Sequence, residues 1–172
     1  MRVAKYLAAL LLVALAHFAG ARFSADFPRA IDLFLVLTVL TGAGGSSMAG
    51  MMGGLTAGWV ADALSGGLYG RLGFADTIVG YVTARVAQRL IVDRAAVVLL
   101  TIAVATFAQQ GILFLLDYGL LGTAAPPEPL WWTFKALAGG LLGSLIYVAS
   151  GAAKKTRDRR HERIEKLKIG KA

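Results

Sequence analysis

The chain has 172 residues, 57% of them hydrophobic, with a mean hydropathy of +0.66. A soluble domain averages about 45–50% apolar residues, and the excess here falls in blocks long enough to cross a bilayer, which takes about 20 residues per crossing. The net charge of +8 is uneven: residues 154–172 hold nine Lys/Arg and three Asp/Glu, and the absence of cysteine excludes disulfides, thiolate metal sites and cysteine nucleophiles.

In chain order the pattern predicts six spans, at about residues 4–20, 29–45, 47–65, 73–91, 95–117 and 131–152. This is an all-α membrane bundle with one transmembrane domain, residues 1–153, and a basic tail, residues 154–172. Met1–Ala21 also fits a signal peptide, with a basic start, an apolar stretch and Ala19-Gly20-Ala21. Its removal would leave five spans in the same orientation. The second span is short before Gly42–Gly45. Glycine, aspartate and arginine dilute the third and fourth, and weak spans of this kind sit inside a bundle, shielded by neighbours.

The third span carries a marked residue at every fourth position: Gly50, Gly54, Gly58, Asp62, Gly66 and Gly70. Glycines at this spacing share one side of a helix and let another backbone approach closely. Each four-residue step drifts by about 40°, so Gly50 to Asp62 is one broad face. Gly66 to Gly73 reads as a glycine-rich turn outside the membrane. The sixth span repeats the spacing with Gly139, Gly143, Tyr147 and Gly151, a second seam. For Gly50, Gly54 and Gly58, internal helix packing is the favoured role over a partner interface.

The connection Gly119–Leu130 contains Pro126, Pro127 and Pro129, which oppose helix. Trp131 and Trp132 after it suit the headgroup region. Gln109 and Gln110, in the middle of the fifth span, predict a hydrogen bond to a neighbouring helix. Arg2, Lys5, Arg85, Arg89, Arg94 and the tail place both termini in the cytoplasm by the positive-inside rule. The opposite face carries Arg22, Arg29, Arg71 and Lys135, offset by Asp26, Asp76, Asp117 and Glu128.

That topology gathers Asp32, Asp62, Asp76, Asp117, Arg29, Arg71 and Lys135 near the outer face. Ionisable groups in spans face the bundle interior or water. Asp32, Asp62, Asp76 and Arg71 are therefore the candidates for a polar outer site or a partner-docking surface. The alternative is a set of interfacial charges and helix caps, a role open above all to Asp76 and Asp117. His17 and His161 lie too far apart to share a metal, and neither is part of a His/Glu cluster of the metal-binding kind. There is no nucleophile–base pattern and no phosphate-cradling loop, so neither catalysis nor a cofactor or metal is expected. Lys154, Lys155, Arg157, Arg159, Arg160 and Arg163 suit attraction to anionic lipid more than docking of an acidic partner. Nucleic acid binding is not expected of a short tail without aromatics. Glu162 and Lys166 are placed to support helix there.

Pro28 and Asp32 at the start of span two, Gly54, Gly58, Asp62, Gly66 and Gly70 in series, and Gly80-Tyr81 in the next span resemble MreD, the bacterial rod shape-determining membrane family. The resemblance covers most of residues 1–152, and its specific part is residues 28–81. The family pattern does not account for the long basic tail. The resemblance implies a non-enzymatic scaffold of the cell-elongation machinery in the inner membrane, supporting lateral peptidoglycan synthesis. Its implied partners are an MreC-like periplasmic coiled-coil protein, an MreB-like actin filament, and a RodA-type glycosyltransferase with its transpeptidase. The family is also similar in its six-helix architecture to the membrane subunits of energy-coupling-factor transporters. That implies a second expectation, a vitamin-type ligand in an outward pocket, with Trp59, Tyr69 and Trp131 as candidate aromatics.

Overall fold

The structure, a computed structural model, describes residues 2–44, 46–66, 68–89, 95–122 and 126–169; of Arg2, Leu121 and residues 151–169 it describes the backbone alone. All regular structure among these residues is helical. The elements are α1 (Arg2–Phe23), the single turn α2 (Phe27–Ala30), α3 (Leu33–Gly42), α4 (Ser47–Ser65), α5 (Arg71–Ala87), α6 (Ala95–Leu121) and α7 (Pro129–Ile169).

Three segments are long and apolar enough to cross a membrane: Val3–Phe23, Ala95–Leu120 and Pro129–Ser150. Helices α3, α4 and α5 fall short by length or polarity. They form the centre, and α1, α6 and α7 flank them. Span two is not one helix, as the sequence reading had it. The backbone is extended at Ile31 and Asp32, between α2 and α3. Pro28 suits the first turn of α2, and Asp32 restarts the helix as the N-cap of α3, where its carboxylate accepts from the Leu35 N–H at 2.9 Å. The ten-residue α3 is only about 15 Å long.

The turn after α4 is also shorter than Gly66–Gly73. Gly66 and Gly70 both have positive φ, +65° and +94°, and α5 begins at Arg71. Glycine reaches that region without a Cβ penalty. Gly73 lies inside α5, not in the turn.

Helices α4 and α5 run antiparallel with their backbones in contact. A Cβ on Gly50 would strike the Gly80 carbonyl, and one on Gly54 would strike the Asp76 carbonyl. One on Gly58 would lie 2.5 Å from the Leu72 carbonyl oxygen. The fourfold spacing of the sequence is thus the register of this pair. Gly139 and Gly143 of α7 face side chains, Ile102 of α6 and Val36 of α3: a Cβ on Gly139 would make ordinary contact with both, while one on Gly143 would strike Ile102 Cδ1. The core between α3, α5 and α6 is built from Leu35, Val36, Val39, Val79, Val98 and Ile102. A second cluster, Phe34, Ala57 and Ala61, receives Leu10, Val13 and Ala14 from α1.

Candidate functional site

The N-termini of α3, α5 and α7 and the C-termini of α1, α4 and α6 meet at one end of the bundle. The ionisable side chains of the interior collect there because each sits at or near one of these helix ends. Asp62, near the C-terminus of α4, is 2% exposed. It accepts from the backbone N–H groups of Gly70 at 2.9 Å, Leu72 at 3.0 Å and Gly73 at 3.1 Å. Gly70 stands at the N-cap of α5 with no side chain to cap it. The first N–H groups of a helix lack intrahelical acceptors, and the positive end of the helix dipole favours an anion. Asp62 supplies that anion from the preceding helix and locks the α4–α5 turn.

Asp32 does a similar service for α3 and carries a second bond. Lys135 Nζ of α7 lies 3.1 Å from its Oδ2, with both side chains 13% exposed. A largely buried ion pair ties the start of α3 to the start of α7. Deeper in, Asp76 of α5 accepts a 2.7 Å hydrogen bond from Gln109 Nε2 of α6, and both residues are fully buried. Asp76 Oδ2, Gln109 Oε1 and Thr38 Oγ1 have no hydrogen-bond partner among the described residues.

Arg71, at the first position of α5, turns toward α6. Its Nη1 lies 2.8 Å from both carboxylate oxygens of Asp117. Two cavities adjoin this arginine. One, of about 380 Å³, is bordered by His17, Asp32, Arg71, Gln110 and Lys135, with apolar walls including Phe34 and Leu64. The other, of about 330 Å³, lies between Arg29, Arg71, Asp117, Glu128 and Trp132.

Asp32, Asp62, Asp76 and Arg71 therefore come together at one end, but in different roles. Asp62 and Asp76 offer no carboxylate to the surface, since both are buried. Arg71 is the most accessible of the four, with its side chain 33% exposed. Trp59 packs against Gly73, Trp131 stacks edge-on to Phe134, and Tyr69 is exposed. None of these three aromatics borders either cavity. Arg94 lies outside the described residues, as do the side chains of Lys154, Lys155, Arg157, Arg159, Arg160 and Arg163. The backbone there continues α7 as helix to Ile169.

Sequence reasoning left the partners of the acids open, and it missed the capping of α5 by Asp62. A signal existed: the predicted turn before α5 ends in glycine, so the acceptor for its N–H groups had to come from elsewhere, and Asp62 is the nearest acid that precedes the turn. The Asp32–Lys135 pair had no such signal, because 103 positions separate residues that only the fold brings together.

Comparison with curated proteins and with solved structures gives no match. Against family descriptions, residues 4–128 match rod shape-determining protein MreD. That stretch is well over half of the chain and takes in α1 to α6, with every acid of the interior. The chain belongs to the MreD family of rod shape-determining membrane proteins.

Proposed function

We propose that the protein is a non-enzymatic scaffold of the cell-elongation machinery in the bacterial inner membrane, supporting lateral peptidoglycan synthesis. The observation that carries this reading is the family match over residues 4–128. The geometry supports it: the interior charges are engaged in holding helices to one another. The chain crosses the membrane six times with both termini in the cytoplasm, as the basic residues favour. Helices α3, α4 and α5, too short or too polar to face lipid alone, cross within the shelter of α1, α6 and α7. This six-helix plan is the one shared with energy-coupling-factor membrane subunits.

The assembly partners are an MreC-like coiled-coil protein on the outer side, an MreB-like filament on the inner side, and a RodA-type glycosyltransferase with its transpeptidase. The outer partner docks at the end of the bundle where Arg71 and Asp117 reach the surface. Asp32, Asp62 and Asp76 shape that end from within. The basic tail rests on anionic lipid.

Depletion in a rod-shaped host tests the reading. Cells are expected to round up, and the MreC-like protein to co-purify with this chain. Unchanged rods after full depletion would overturn it. The single variants Arg71→Asp and Asp117→Arg are expected to lose co-purification, and the double exchange to recover it.

A further inference from the structure

The cavity of about 380 Å³ between α1, α4, α6 and α7 has a chemistry that the scaffold role does not use. Its polar rim is rich in hydrogen-bond donors with nothing to receive them. Lys135 gives one bond to Asp32 and has two further N–H groups. Arg71 engages Asp117 through Nη1 alone, so Nε and Nη2 make no hydrogen bond among the described residues. The Gln110 amide likewise has no partner there. His17 Nδ1 is shielded from solvent and unpartnered, its ring held against Phe34 at a centroid distance of 5.3 Å. The acidic neighbours, Asp32 and Asp117, are already bonded. What the rim lacks is an acceptor-rich anion.

The rest of the cavity is apolar, and its position is informative. Phe18 of α1 and Leu64 of α4 border it and are also 59% and 43% exposed on the flank of the bundle. The cavity therefore opens sideways between α1 and α4, where a bilayer would lie, and not only toward water. Helix α1 seals the flank lower down through Leu10, Val13 and Ala14, and the Tyr6 hydroxyl bonds Gly53 O at 2.7 Å. A water-soluble anion has no use for a lateral mouth. A molecule with an anionic head and an apolar chain does.

We propose that this cavity is a binding site for a lipid phosphate, with the phosphate among His17, Arg71, Gln110 and Lys135 and the chain leaving between Phe18 and Leu64. Phosphate accepts several charge-assisted bonds at once, and Arg and Lys are suited to supply them. The cavity falls within the size range of small-ligand sites. It holds a head group and the first part of a chain, not a whole lipid. The inference stands apart from the shape-determining role and survives if that role fails.

Purified full-length protein in mild detergent is mixed with phosphatidic acid, with diacylglycerol of the same chains, and with glycerol 3-phosphate. Bound molecules are counted by native mass spectrometry. Phosphatidic acid is expected to be retained one per protein, and its two halves far more weakly. Gln110→Leu removes a donor, and Ala21→Trp blocks the mouth from an exposed position. Gln110→Leu is expected to lower retention about tenfold, the size of one charge-assisted hydrogen bond, and Ala21→Trp to lower it at least as far by closing the mouth. Equal retention of diacylglycerol would reduce the site to ordinary lipid contact and overturn the proposal. So would glycerol 3-phosphate bound as tightly as phosphatidic acid, which would make the ligand a soluble phosphate. Should either variant fail to fold, the wild type still decides. A phosphatidic acid with a photoreactive group near its head is expected to label α1 around Phe18 and α4 around Leu64, and labelling spread evenly over the lipid-facing helices overturns the site.

Discussion

Gln109 donates a 2.7 Å hydrogen bond to Asp76 across the α5–α6 contact, with both side chains fully buried. Breaking one side of such a pair strands the other, and a buried polar group without a partner costs about 1–3 kcal/mol, more when charged. Gln109→Leu is therefore expected to lower stability by about 3 kcal/mol. Asp76→Asn with Gln109 intact should cost less, since the amide can still accept. Thermal unfolding in detergent checks the order. A Gln109→Leu protein as stable as Asp76→Asn would show the bond to be idle.

Asp62 answers three backbone N–H groups at once. Asp62→Ala leaves all three, at the N-cap and in the first turn of α5, without an acceptor and is expected to cost about 3 kcal/mol, above the usual loss of a single N-cap. Asp62→Asn keeps an acceptor oxygen but gives up the charge at the helix N-terminus, and should fall between. Hydrogen exchange at Leu72 and Gly73 localises the effect. If those amides stay protected in Asp62→Ala, the capping role is wrong. Any weaker association of this variant with a partner should then track the loss of fold.

The glycines separate into two classes. Gly54→Ala pushes a methyl group into the Asp76 carbonyl, and backbone cannot step aside as a side chain can. The expected cost is about 1–3 kcal/mol, or more. Gly111 in α6 meets nothing within 4 Å, so Gly111→Ala should be neutral or stabilising by up to about 1 kcal/mol through helix propensity. Paired melting curves decide: equal effects at the two sites would remove the backbone contact as the cause.

Lys135→Met leaves Asp32 largely buried without its cation and is expected to cost about 3–5 kcal/mol. Asp32→Asn added to it should restore part of the loss, because asparagine still caps α3. A double-mutant cycle measures the coupling. A coupling near zero would mean that the pair does not join α3 to α7.

The helical class and five of the helix positions could be read from hydrophobic blocks and loop signals alone. The glycine register was visible because close packing of backbones leaves a direct trace: only glycine fits, and it must recur at the helix period. The break at Ile31–Asp32 was harder. Its apolar surroundings read as one continuous span, and only the carboxylate bonded to Leu35 reveals a restart. The site at the helix ends was legible as a level and not as bonds. Which acid meets which base depends on how α6 and α7 lie across α3 and α5, and nothing local records that.

The closure of α4 on α5 has a consequence for biosynthesis. Taken singly, α4 presents Asp62 and a row of bare glycines to the membrane, and an aspartate in a span opposes insertion, though by less near a helix end, where Asp62 lies, than at mid-depth. Folded back on α5, the same carboxylate is already bonded by Gly70, Leu72 and Gly73 before it meets lipid. Entry of the two segments as one hairpin therefore costs less than entry of α4 alone. The short turn between them, with its two left-handed glycines, is what folds the two helices into that hairpin.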